Sequence, residues 1–329
     1  MLRDDVLALL RQQEGAPLSG EAVSRALGVS RAAVWKAMER LRREGYLISS
    51  APRKGYWLER SPDRLSAGEL ARPGRRVGRE IVCLETVDST NNELKRRAVG
   101  EAPDGLAVLA EGQTGGRGRR GRSFLSPAGK GLYLSVLLRP RCALEQVPAL
   151  TAWTAAAVCG AVEGLCGLRP GIKWPNDVIL EGRKLCGILT ELELEADTGE
   201  LGYVVVGLGL NVSQTEADFG PEVAPLAISL AQALGRAPRR AEVAAAVLDA
   251  LDGMYAAFPE QREDWLARYR AGCLTLGRQV RLLRPGRAEE TAFAEGIDDD
   301  FALVVRRPDG RRESVSSGEV SVRGLLGYV

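Results

Sequence analysis

Gly115-Gly116-Arg117-Gly118-Arg119-Arg120-Gly121-Arg122 packs four arginines and four glycines into eight residues, directly after Leu106-Ala107-Val108-Leu109-Ala110. That apolar run reads as a buried strand. Glycines let the backbone approach a ligand closely and adopt conformations closed to other residues. Guanidiniums offer fixed forks of donors to carboxylate or phosphate oxygens. The stretch therefore describes a mobile loop that closes over an anion. Gly116 to Gly121 also fits the dinucleotide pattern G-x-G-x-x-G. That pattern needs a helix to open at the loop, whereas Ser126-Pro127-Ala128-Gly129 gives a turn. A disordered arginine-glycine nucleic-acid binder fits poorly with a loop set between two apolar runs, the second being Leu132 to Leu138. An anion-binding loop on an α/β core is the better reading.

The 329 residues leave room for two or three domains. Hydrophobic residues make up 45% and the net charge is +2, so nucleic-acid binding has to come from a local patch. No apolar run approaches the roughly 20 residues needed to span a bilayer, and the N-terminus lacks a signal peptide's cationic start and cleavage site. A cytoplasmic protein without membrane partners is expected. The six cysteines show no C-x-x-C spacing and read as free thiols. Histidine is absent, which excludes His-based triads and zinc chemistry of the usual kind. Catalysis here must rest on Lys, Arg, Asp, Glu or backbone.

Toward the N-terminus, residues 4–12 and 21–27 carry helical patterns, Gly28 stops the second, and Ser30 caps a third running to about Arg43. Gly45 to Ser49 and Arg53 to Leu58 read as a hairpin. Residues 1–62 thus form a winged helix-turn-helix. Between Arg25 and Lys54 there are eight Lys/Arg against two acids. Ser30, Arg31, Ala32, Trp35 and Lys36 are expected to face the major groove, with Arg53 and Lys54 on phosphates. Such modules usually act as dimers, so a homodimer on operator DNA is implied; a purely regulatory winged helix is the alternative.

A linker of about 61–75 precedes residues 76–270. Ser89, Thr90 and Asn91 stand at a strand-to-helix junction, where such residues are ordinarily helix caps. Further on, Lys173-Trp174-Pro175-Asn176-Asp177 is an extended turn. It presents a cation for phosphates and a carboxylate with an amide that can hold magnesium. Lys184 opens a strand, and Gly207-Leu208-Gly209-Leu210-Asn211 lets a ligand lie flat on the backbone.

Taken in order, the arginine loop, Lys173 to Asp177, Lys184-Leu185-Cys186-Gly187-Ile188-Leu189 and Gly207 to Asn211 resemble the motifs of the biotin protein ligases. The likeness spans essentially the whole chain and points to the bifunctional ligase and biotin-operon repressor form. Over 271–329 five or so short alternating strands between turns read as a small SH3-like β barrel, and with the resemblance the expectation is an α+β multidomain protein: the winged helix-turn-helix, a mixed α/β class II synthetase-like ligase domain, and that barrel. The likeness implies activation of biotin by ATP and Mg2+ to biotinyl-5′-AMP, then transfer to a lysine of biotin carboxyl carrier protein. Lys184, Lys173 and Arg119 would be catalytic. Ser89, Thr90, Asn91, Gln113, Gly116, Arg117, Lys184, Gly187, Gly207 and Gly209 would bind biotin. Arg119, Arg122, Lys173, Asn176 and Asn211 would bind ATP, and Asp177 the metal. Arg323 would help with ATP and acceptor. The family usually has alanine at Cys186 and threonine at Ile228, so the residues capping adenine, near Ser213 to Pro225, are left open. The rival readings are a ligase with a vestigial winged helix, a ligand sensor without turnover, and a lipoate or other acyl ligase on the same fold.

Overall fold

The computed structural model describes residues 2–52, 54–195, 197–284, 288–316 and 321–324; Arg53 lies outside them. Helices α1 (Leu2–Gln12), α2 (Gly20–Leu27) and α3 (Arg31–Arg43) are followed by the antiparallel hairpin of β1 (Leu47–Ala51) and β2 (Gly55–Arg60). The hydroxyls of Ser19 and Ser30 accept from Ala22 N and Ala33 N, satisfying donors that each helix start leaves open. Gly28 ends α2 at φ +64°, a conformation that favours glycine. Val34, Ala37, Met38 and Leu41 form one helical stripe of α3, buried with Val6, Leu7 and Leu10 of α1.

A short helix, α4 (Ala67–Leu70), joins this module to the next. The central sheet contains β3 (Ile81–Val87), β4 (Ala107–Gln113), β5 (Gly131–Leu138), β6 (Gly171–Lys173), β7 (Asp177–Leu180), β8 (Arg183–Leu194) and β9 (Leu201–Asn211). Its order is β3-β4-β5-β9-β8-β7-β6, with β3 and β4 parallel and the remaining pairs antiparallel. Helix α5 (Thr90–Ala98) follows β3, and α6 (Val147–Cys166) follows β5. After β9 come α7 (Glu216–Phe219), α8 (Leu230–Leu234), α9 (Arg240–Ala257) and α10 (Arg262–Gly272). None of these last four is evident in the sequence reading above.

Strand alternation assigns the two faces different duties. Leu132, Leu134, Val206, Leu208, Leu210, Cys186 and Ile188 join the main core with α6 and α9. On the opposite face Leu137 and Val205 pack with Leu94 and Ala98 of α5. Gly187, Gly207 and Gly209 lie in register on that second face, further along the strands than the α5 contact. This leaves a patch of bare backbone at the three glycines, with Leu189 beside Gly207.

One sequence expectation needs correcting. The segment Leu144–Cys166 is long and apolar enough, by length and composition, to cross a membrane. In the fold half of it is buried as a core helix: Leu150, Trp153, Ala155 and Val158 of α6 are buried, and Trp153 stacks on Trp265 of α10.

The C-terminal strands β10 (Gln279–Leu283), β11 (Glu290–Ile297), β12 (Leu303–Arg306), β13 (Arg312–Val315) and β14 (Ser321–Gly324) form an antiparallel sheet ordered β13-β12-β11-β10-β14. Its edge strands β13 and β14 do not pair, so among the described residues the sheet is open, where a closed SH3-like barrel is the sequence expectation. The module docks on the Lys173–Asp177 turn. The Trp174 indole N–H donates to Phe301 O at 2.9 Å, and Trp174 N donates to the Thr275 hydroxyl at 2.9 Å. Of Arg323 only the backbone, in β14, is described.

Charged groups clamp the N-terminal helical module to the sheet. Glu69 of α4, its side chain buried, faces Arg11 of α1 and Arg239. Arg240 donates to Asp63 in the linker at 2.9 Å and to Glu111 of β4, whose other oxygen accepts from Leu65 N. Removing one member of a buried pair strands the other's charge. Arg240→Ala is therefore expected to cost about 3 kcal/mol of stability in urea unfolding, and a change indistinguishable from zero contradicts the clamp.

Candidate active site

The glycine-lined stretch is the floor of a cavity walled by Ser89, Thr90, Asn91, Gln113, Arg117, Arg119, Asn176, Lys184 and Phe124. Gly187 and Gly209 face each other across β8 and β9, and Gly207 pairs with Leu189. Side chains are excluded at all three. A Cβ at Gly207 would stand 1.9 Å from Asn91 Oδ1, one at Gly209 would stand 2.4 Å from the Phe124 ring, and one at Gly187 would stand 2.9 Å from Lys184 Nζ.

Lys184 reaches this face through a β-bulge. Between β7 and β8 the register passes from Ile179↔Lys184 to Val178↔Cys186, making Leu185 an extra residue. Leu185 and Cys186 are both buried in the main core. Lys184 is thereby turned to the same side as Gly187, the re-aiming for which bulges are used. Its Nζ lies 2.6 Å from Asp177 Oδ1. Asp177 stands opposite Lys173 in the β6–β7 hairpin. Lys173 is buried beneath the turn and is not part of the cavity wall. Cys186 lies in the main core, and burial pushes its thiol far above its ordinary pKa.

At the other end the polar residues form one connected network. Ser89 occupies the N-cap position of α5 but its side chain makes no capping bond, so the helix-cap explanation does not account for it. Thr90 N donates to Gln113 Oε1 at 2.9 Å, and Gln113 Nε2 donates to Ser126 Oγ at 2.9 Å. The Ser135 hydroxyl lies 2.7 Å from Thr90 Oγ1 and 2.6 Å from Asn91 Oδ1.

The arginine loop crosses the cavity and is tied down on both sides. Arg117 donates to Asn92 Oδ1 at 2.9 Å, and Arg119 donates to Asn176 Oδ1 at 3.1 Å. Asn176 in turn donates to Ile188 O at 2.7 Å, which fixes its amide. Burial, then the neighbouring charge of Arg120, lowers the Arg119 guanidinium's pKa. Arg120 holds the left-handed turn at φ +57°. Arg122 is exposed on the return limb and does not line the cavity. Gly116 lies at the crossing of the loop's two limbs, where a Cβ would meet Phe124 O at 2.4 Å, and it too is outside the wall.

Asn211 differs most from its expected place. It is buried below the floor, and its amide donates to Lys184 O at 3.2 Å and to Ile228 O at 3.1 Å. It ties the start of β8 to the 226–228 segment, whose Leu226 O accepts from Lys184 N at 2.8 Å. The described hydrogen bonds make it a support for the start of β8, which carries Lys184. Ile228 is fully buried beside it.

Sequence reasoning missed Phe124, Ser126, Ser135 and Glu191. Phe124 alone left a signal, as the one aromatic residue at the exit of a polar loop; the others become visible only through strand register. In the helix-turn-helix, Ser30, Arg31, Ala32, Trp35, Lys36 and Lys54 are exposed. Arg40 and Arg42 pair with Glu44 and Glu39, whereas Arg31 and Lys36 enter no ion pair among the described residues.

Three family models match along the chain: the biotin/lipoate A/B protein ligase family over residues 83–211, an HTH domain over 3–56, and the biotin protein ligase C-terminal domain over 275–323. The chain is 35% identical to the bifunctional ligase/repressor BirA of Bacillus subtilis over 327 residues, covering 96% of this chain and 97% of that protein. It is 36% identical to the biotin–[acetyl-CoA-carboxylase] ligase of Mycobacterium tuberculosis over 252 residues, covering 74% of this chain and 88% of the other. Among solved structures, the biotin protein ligase from Aquifex aeolicus in complex with biotin and ATP superposes with a TM-score of 0.65 at 32% identity, covering 74% of this chain and 99% of that one.

The support role of Asn211 predicts that Asn211→Ala destabilises the fold by about 1–3 kcal/mol, the cost of leaving the Ile228 carbonyl and the buried Gln214 amide without this partner. Chemical denaturation checks this, and unaltered stability counts against it.

Proposed function

The chain belongs to the biotin protein ligase family, and from that premise we propose that it activates biotin with ATP, transfers it to a carrier-protein lysine, and represses transcription of biotin genes. The observation that carries this reading is Lys184. A bulge aims its ammonium across a glycine floor, beside Asp177 and beneath an arginine loop, where a carboxylate and a phosphate can meet.

In the first step a biotin carboxylate oxygen bonds to the α-phosphorus of ATP and pyrophosphate leaves, giving biotinyl-5′-AMP. The Lys184 ammonium and Arg119 lie where they offset the negative charge gathered as the two anions approach. In the second step the acceptor lysine's amine attacks the acyl carbon, AMP leaves, and the amine's proton is lost to solvent. No covalent enzyme intermediate is required, consistent with a histidine-free chain and a buried Cys186. Ser89, Thr90, Asn91, Gln113 and the backbone of Gly187, Gly207 and Gly209 hold biotin flat on the floor. Arg117 and Arg119 hold the lid that keeps the mixed anhydride from water. Lys173 and Asn176 support the phosphate side.

Asp177 is the residue that would hold Mg2+. A single carboxylate suits this ion, which takes its remaining positions from phosphates and water. When bound it supplies further neutralisation of phosphate charge. Asp177 also holds Lys184 through Oδ1, so the carboxylate would carry both the lysine and the ion.

We further propose the division into residues 1–62, 76–270 and 271–329, a cytoplasmic setting, and a homodimer that presents two winged helices to operator DNA. The exposed Arg31, Trp35 and Lys36 support base contact and Lys54 supports phosphate contact.

Lys184→Ala is expected to slow biotin-dependent pyrophosphate release on the order of a hundredfold or more, with the circular dichroism spectrum unchanged. Release at the wild-type rate contradicts the assignment. Arg119→Gly is expected to let adenylate escape and label lysines on bystander proteins. Labelling confined to the carrier protein would argue against the lid.

A further inference from the structure

Glu191 sits on β8 two strand positions beyond Leu189, on the same face as the glycine floor. Its side chain is only 17% exposed, and three groups converge on it. Lys95 Nζ of α5 donates to Oε1 at 2.7 Å, Asn91 Nδ2 donates to Oε2 at 2.8 Å, and Arg117 Nη1 lies 3.4 Å from Oε1. One carboxylate therefore touches the helix, the pocket wall and the arginine loop. Burial alone would raise its pKa, but the bonds from Lys95 and Asn91 outweigh that and hold it below the ordinary glutamate value.

The consequence for the pocket follows from hydrogen-bond polarity. An ionised carboxylate only accepts, so Asn91 must turn its NH2 toward Glu191. Its carbonyl oxygen then faces the Ser135 hydroxyl, which adjoins Thr90 and through it Gln113. That oxygen also sits where a side chain on Gly207 would fall. Arg117, although exposed, is held by Glu191 and Asn92 together. The arginine loop is thus fastened at two ends, by Arg119 on Asn176 and by Arg117 on this pair.

We propose that Glu191 is a positioning residue that fastens Arg117, and with it the arginine loop, over the activated acyl adenylate while fixing the Asn91 amide in the pocket wall. It touches no reacting atom. This rests on the ligase reading above, and it adds a determinant of how long the intermediate is retained.

The test uses the full chain loaded with labelled biotin and MgATP, following pyrophosphate release and, separately, escape of adenylate in a chase without acceptor. Glu191→Gln keeps the shape and removes the charge. It is expected to accelerate escape a few-fold, the scale of one partly exposed ion pair, and by a larger factor than it slows pyrophosphate release. Glu191→Asp should restore part of the retention. In an Arg117→Ala background the glutamine variant should add less to adenylate escape than it does in the wild-type chain, since the Arg117 contact is already lost and only the hold on Asn91 remains to be disturbed. Fully additive effects, or escape unaltered by Glu191→Gln, overturn the proposal. Should that variant fold poorly, Arg117→Ala at its exposed position answers alone, and unaltered escape there overturns the proposal too. A wild-type chain that releases no pyrophosphate with biotin overturns the ligase reading instead.

Discussion

Gly187 and Gly209 face each other across two strands, and neither can carry a side chain without displacing Lys184 or Phe124. The rest of the site is arranged around that bare backbone. Sheet alternation dedicates one face to the main core and leaves the other to be covered, at one end by α5 and at the other by a loop. Because the floor is flat, the cover has to come from above, and the arginine loop supplies it. Because Gly187, Gly207 and Gly209 offer no side chains, the ammonium of Lys184 has to enter from the edge of the floor, and the bulge at Leu185 brings it there.

The same economy appears in the electrostatics. With no histidine, the chain moves no proton through imidazole, and its ionisable groups are instead matched in pairs. Lys184 meets Asp177, Arg117 meets Glu191, and Arg240 meets Glu111. Glu111 lies two residues before Gln113 on β4, so the strand that contributes a pocket wall also anchors the linker to the helix-turn-helix. The C-terminal sheet has a comparable attachment, since Trp174 in the Lys173–Asp177 turn hydrogen-bonds to both Phe301 and Thr275.

Local signals were legible in the sequence. Ser30 and Gly28 located the helix-turn-helix because capping and left-handed turns depend on a few adjacent residues. The arginine loop announced itself by composition, and Lys173 to Asp177 by proline. Relations between distant strands were not legible. Nothing near Asn211 says that its amide is spent on Lys184 and Ile228, and nothing near Glu191 says that it faces Arg117 rather than solvent. The four helices between Glu216 and Gly272 escaped because two are single turns and the other two are too evenly apolar or polar to show a stripe. The expected barrel was inferred from strand count, which does not determine whether the edges of a sheet meet.

The most direct test of the account joins its two halves in one experiment. The purified chain is mixed with DNA from upstream of its own organism's biotin genes, with biotin, MgATP, both or neither, while pyrophosphate is recorded. The account predicts pyrophosphate release with biotin but not with lipoate, and DNA binding that tightens only when biotin and ATP are both present. Absence of biotin-dependent release would contradict the reading of the glycine floor and Lys184, and release with DNA binding indifferent to ligand would contradict the coupling between the two domains.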